Sequence, residues 1–127
     1  MITKVLFIEK VGKPTKPIPK VRLAGNWLKE IGFEYGSLVT ADAECGSITL
    51  NLRGSGTDTY KSIVTQLLNK RDSRLFHVRR NRQVKKYSPF LEITGQWLTN
   101  LGFKIGDFVV MKATNQTINI KPLNLSD

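Results

Sequence analysis

The sequence predicts a mainly β fold with short helices (β+α), built from two tandem repeats, and three observations carry that expectation. Residues from Thr3 onward align without a gap to residues from Ser73 onward at a constant offset of 70. Glycine and aromatic positions stay in register, Gly25 with Gly95, Trp27 with Trp97, Gly32 with Gly102, Phe33 with Phe103 and Gly36 with Gly106. Between them, short β-branched and apolar runs are punctuated by glycine and proline. The alignment divides the chain into a first repeat over 1–54, a linker over 55–72 and a second repeat over 73–127. A unit of roughly 55 residues is near the lower limit for independent stability, so the copies are expected to share one core.

Each repeat opens on a strand-like run, TKVLFIE from Thr3 to Glu9 and SRLFHVR from Ser73 to Arg79. The segment VGKPTKPIPK follows, and its prolines predict an extended, exposed connection because they remove ladder donors. RNRQVKKYSP takes its place in the second copy. A short strand is expected at Val21–Ala24 and at Leu91–Thr94. After Gly25 and Gly95, NWLKEIGF and QWLTNLGF place their apolar residues on one face of a helix of one or two turns. Gly32 and Gly102 suit its left-handed C-terminal cap, and Gly36 and Gly106 a positive-φ turn. Two further strands are expected, Leu38–Ala43 with Ser47–Leu52 and Phe108–Ala113 with Thr117–Lys121. In the linker, Thr57, Asp58 or Thr59 can cap a helix whose Tyr60, Ile63, Val64, Leu67 and Leu68 recur at helical spacing. Covering a sheet edge or an open end is its expected role, ahead of binding a partner.

Charge points to the partner class. Lys and Arg number 20 against 10 Asp and Glu, a net charge of +10. Such an excess favours polyanions through counterion release from phosphates, so nucleic acid is the expected partner. The cations cluster in the two connections: Lys10, Lys13, Lys16 and Lys20 in the first copy, Arg79, Arg80, Arg82, Lys85 and Lys86 in the second. Arg74, with Lys70 and Arg71, extends the second cluster, and Tyr87 within it can stack on an unpaired base or pack over the adjacent strand. Trp27 and Trp97 sit among leucines, which favours packing over base stacking.

The order of strand, basic proline-bearing segment, short strand, G-x-W-L-x-x-x-G-F, x-x-G and two-strand hairpin resembles the SymE-like toxins of bacterial type I toxin-antitoxin systems. The residues that carry it are Pro89, Leu91, Ile93, Gly95, Trp97, Leu98, Gly102, Phe103, Gly106, Val109 and Ile118. The first copy matches with Pro19, Val21, Leu23, Gly25, Trp27, Leu28, Gly32, Phe33, Gly36, Val39 and Ile48. That family is similar in turn to the swapped-hairpin barrels of AbrB-type regulators and MazE-type antitoxins. The resemblance implies an AbrB-like barrel formed as an intrachain pseudo-dimer, and a toxin directed at DNA or RNA in the bacterial cytoplasm, with nucleoid association one option. A typical member carries one unit, and this chain carries two.

The family is described as RNA-cleaving, which makes an endoribonuclease the alternative to a binding protein, and an AbrB-like DNA-binding regulator or antitoxin the second alternative. Metal-free cleavage needs a general base, a general acid and a cation. His77 beside Arg79 is the pair to test, although His77 takes the place of Phe7 and reads first as a strand residue. The carboxylates show no shared metal-ligand spacing, and neither a metal nor a cofactor is expected. Cys45 is the only cysteine, in a hairpin turn with no activating base in sight. Neither a signal peptide nor a membrane-spanning run is expected.

Overall fold

Alternating β-branched and polar residues set the strands of the computed structural model, which describes residues 1–44, 46–68, 73–81 and 88–123. The first repeat contains β1 (Ile2–Phe7), β2 (Glu9–Lys13), β3 (Lys16–Ala24), α1 (Trp27–Glu30), β4 (Leu38–Glu44) and β5 (Ser47–Gly54). Helix α2 (Thr57–Leu67) precedes the second repeat. That repeat contains β6 (Ser73–His77), β7 (Arg79–Asn81), β8 (Ser88–Thr94), α3 (Trp97–Asn100), β9 (Phe108–Thr114) and β10 (Thr117–Pro122). The chain is thus mainly β with short helices. Its strands lie in two antiparallel sheets, β1-β9-β10-β5-β4-β6 and β2-β3-β8-β7.

The two copies interleave. β1 pairs with β9 of the other copy, from Ile2 opposite Ala113 to Phe7 opposite Phe108. β6 correspondingly pairs with β4 of the first copy, from Asp42 opposite Ser73 to Leu38 opposite His77. β5 and β10 meet at the middle of the six-stranded sheet, and β3 and β8 at the middle of the other. Between sheets the chain passes through one fully buried residue in each copy, Ile8 and Val78. The Ile8 N–H donates to Asp107 O at 2.9 Å and its carbonyl accepts from Gly106 N–H at 3.0 Å. Val78 does the same with Ser37 at 2.9 Å and Gly36 at 3.0 Å.

One apolar cluster joins Ile8, Leu23, Phe33, Val39 and Leu50 to Val78, Leu91, Phe103, Met111 and Ile118. Full burial of each such side chain contributes about 1.5–3 kcal/mol, so removing either repeat would strip the other of half its core.

Three expectations change. The sheets do not close into a barrel: at Ile8 and Val78 the backbone bonds go to turn residues and not along a ladder, so the two sheets are not stitched into one. The proline-rich connection is extended and exposed, as expected, but it is paired: it forms the β2–β3 hairpin, with Glu9 opposite Lys20 and Lys13 opposite Lys16. Its prolines are tolerated because their polar groups point away from β2. Pro19 O accepts from Gly95 N–H at 3.3 Å and Pro17 O from the Gln96 side chain at 3.2 Å, so the nitrogens on that side owe β2 no bond. The linker helix is capped by Gly56, at φ 96°, with no side-chain cap bond.

Gly32 and Gly102, both at φ 94°, terminate α1 and α3 in the left-handed region, as the spacing predicts. Gly25 and Gly95 serve another purpose. Each lets the indole two residues on fold back over the chain, so that Trp27 Nε1 donates to Ala24 O at 2.8 Å and Trp97 Nε1 to Thr94 O at 3.0 Å. A Cβ on Gly95 would lie 2.5 Å from Trp97 Cδ1, and one on Gly25 2.8 Å from Trp27 Cδ1, at φ 139° and 129°. Gly95→Ala is therefore expected to destabilise the protein by about 2–4 kcal/mol, read from urea unfolding. An effect below about 0.5 kcal/mol would show that the indole is not held there.

Candidate nucleic-acid interface

Strand alternation sorts the four-stranded sheet into a core side and an outer side. Val21, Leu23, Leu91 and Ile93 face the core. Arg22, opposite Glu92, and Phe90, opposite Arg79, therefore share the outer face. Arg22 and Glu92 occupy the same repeat position and meet near the middle of the β3–β8 pair, where their side chains approach to 3.9 Å.

Phe90 is the aromatic centre of this face. The Arg22 guanidinium lies 4.7 Å from its ring centroid and that of Arg79 lies 5.1 Å away. Both distances are within the range for cation–π attraction, which holds the two guanidinium groups over the ring. Lys20 bridges two carboxylates, 3.5 Å from Glu9 and 3.6 Å from Glu92, with only 17% of its side chain exposed. Its charge is spent within the sheet.

Lys13 and Lys16 face each other at the β2–β3 hairpin end, both exposed, and Lys10 is exposed farther along β2. At the opposite end of the sheet, β7 and β8 run to Asn81 and Ser88. Arg82, Lys85, Lys86 and Tyr87 fall between them and, like Lys70, Arg71 and Cys45, lie outside the described residues. Arg80 is half-buried, its guanidinium 4.8 Å from the Tyr35 ring centroid. Arg74 lies 5.3 Å from the Trp97 ring, and its repeat equivalent Lys4 lies 5.6 Å from Trp27. Both tryptophans are half-buried against the core, each with a cation over its ring. Lys4, Arg22, Glu9 and Trp27 line an open cleft of about 560 Å³ beside β1.

The structure assigns His77 and Arg79 to different sheets. His77 ends β6 and stacks on Tyr60 of α2, centroids 6.3 Å apart, whereas Arg79 lies over Phe90. Among the described residues no three His, Cys, Asp or Glu side chains gather as metal ligands, and no helix is long and apolar enough to cross a membrane. Sequence reasoning missed Arg22, Phe90 and Lys4. The alternation in VRLA, which opposes Arg22 to Val21 and Leu23, was the available signal for the first.

The molecule is thus a two-sheet, tandem-repeat protein with a cationic outer face, on which two guanidinium groups cover a buried phenylalanine. No family model matches the chain, and neither the curated proteins nor the solved structures provide a match. The likeness to SymE-like toxins accordingly rests on the motifs alone.

The lysines are expected to separate in unfolding experiments. Lys20→Met, which leaves Glu9 and Glu92 without their shared cation, is expected to cost about 1 kcal/mol. Lys13→Met and Lys16→Met should change stability by less than about 0.5 kcal/mol. Equal effects at the three positions would contradict the division between a structural and a surface lysine.

Proposed function

We propose that this chain is a nucleic-acid-binding protein of the SymE-like toxin type, an intrachain pseudo-dimer in the swapped-hairpin manner of AbrB-type proteins. It contacts the phosphates of DNA or RNA through the outer face of the four-stranded sheet and its two basic hairpin ends. The observation that carries this reading is the placement of charge on one face: Lys13 and Lys16 at the β2–β3 end of the sheet, and Arg22 and Arg79 on Phe90 farther along it.

Dimensions support a duplex ligand. Along β3 from Lys16 to Ala24, and on from Phe90 to Ser88, the sheet spans at most roughly 33 Å at the usual strand rise. One turn of B-form DNA is about 34 Å, so Lys13 and Lys16 at one end and Arg22 and Arg79 along the face can follow the backbone on one side of a duplex. Lysines there act as point charges, and the guanidinium groups can bind phosphate in a bidentate manner. Toxicity on this reading follows from occupying nucleic acid and requires no bond to be cut.

Titration of a fluorescent 24-base-pair duplex at several salt concentrations tests the proposal. Affinity should fall steeply with salt, and Lys13→Ala with Lys16→Ala should lower the magnitude of the log–log slope by about 1–2. Structured RNA incubated with the protein should be recovered intact. An unchanged slope in the double variant would remove the hairpin end from the interface, and discrete RNA fragments lost in His77→Ala would replace binding with cleavage.

A further inference from the structure

The two halves of the six-stranded sheet are related by the repeat, but among the described residues only one has its outer face covered. In β4, Val39 and Ala41 face the core, so Leu38 and Thr40 face away from it, yet both are only 3% exposed. Helix α2 lies over this half: it packs against the neighbouring β6, Ile63 is buried outside the main cluster, and Tyr60 stacks on His77. Arg53 at the end of β5 donates to the Gln66 side chain at 2.6 Å, anchoring one flank of the helix.

In the other half the equivalent positions are more apolar and open. Phe108 replaces Leu38, Val110 replaces Thr40, Phe7 replaces His77 and Val5 replaces Leu75. Phe108 is 46% exposed, Phe7 49% and Val5 56%. The two phenylalanines form an edge-to-face pair with centroids 5.5 Å apart. Three large apolar side chains so exposed on one sheet face constitute an interaction patch.

Charge selects the occupant. On the covered half Asp42 accepts from Ser73 and from Asn51 at its edge. The equivalent of Asp42 on the open half is Lys112, and Lys121 stands opposite Val110 on the same face. A second copy would bring like charges together, since the whole chain carries +10. We infer that the outer face of β1 and β9 docks an amphipathic helix of a partner protein, apolar on one side and flanked by acidic residues, in the manner in which α2 covers the other half. α2 shows the required pattern, with Thr59, Ile63 and Leu67 at intervals of four on its packed side.

The test is an NMR titration of the isotope-labelled full chain with a helix-stabilised peptide of the Thr57–Leu67 sequence carrying Ser62→Glu and Gln66→Glu. Saturable shifts are expected at Val5, Phe7, Phe108 and Val110, with affinity about tenfold weaker when the same two positions carry Lys. Phe108→Ser and the more conservative exposed-site change Val5→Thr should each weaken binding, the first about tenfold and the second severalfold. Absence of saturable shifts on this face, or binding indifferent to both variants, overturns the inference. Concentration-dependent self-association that protects the face assigns it to a second copy, and shifts produced there by a single-stranded oligonucleotide in place of the peptide assign it to nucleic acid. Either result also overturns it.

Discussion

Burial of Ile8 and Val78 at the crossings between sheets is the constraint on which the rest of the molecule depends. At each crossing the chain leaves one sheet, bonds its backbone to the glycine turn before the other copy's hairpin, and enters the second sheet. β1 therefore completes the second copy's hairpin and β6 the first copy's. A buried peptide group without a partner costs about 1–3 kcal/mol, and the turns at Gly36 and Gly106 remove that penalty. They hold φ near 90°, a conformation glycine adopts without strain.

From that exchange follows the division of surfaces. The six-stranded sheet presents an outer face with half of it under α2 and the other half exposing Val5, Phe7 and Phe108 beside Lys112 and Lys121, whereas the four-stranded sheet collects Arg22, Arg79, Lys13 and Lys16 on its outer side. The carboxylates Glu9 and Glu92 neutralise Lys20 within the sheet, whereas Lys13 and Lys16 stay exposed at its β2–β3 end. The tryptophans, held back over Gly25 and Gly95, fix the corners where β3 and β8 turn into their short helices. Scaffold and charge are thus separated by strand alternation, with little dependence on loop conformation.

Much of this order is legible in the sequence because it is local. The repeat register, the short helices ended by Gly32 and Gly102, and both hairpins from Leu38 and Phe108 onward require only patterns within a few residues. The β2–β3 hairpin is hidden because Pro17 and Pro19 look like strand breakers until the neighbouring strand is known. Only the direction of their carbonyls, toward Gly95 and Gln96, shows that no ladder bond is lost. Separation of His77 from Arg79 is hidden for a similar reason: two residues apart in sequence, they are divided by the crossing at Val78. The cations of the two connections are plain in the sequence, but the commitment of Lys20 depends on the hidden β2–β3 hairpin for Glu9 and on a cross-repeat strand pairing for Glu92.

The interleaving of the copies is tested most directly by following the unfolding of each repeat in the intact chain. Trp27 and Trp97 sit at equivalent positions in the two repeats, so Trp97→Phe reports on the first and Trp27→Phe on the second by fluorescence in urea. If β1 and β6 are exchanged across one core, each variant's fluorescence transition coincides with its own loss of β structure measured by circular dichroism, as a single cooperative step. A fluorescence transition in either variant that is separated from the circular dichroism transition would mean that the repeats unfold independently, and would contradict the account.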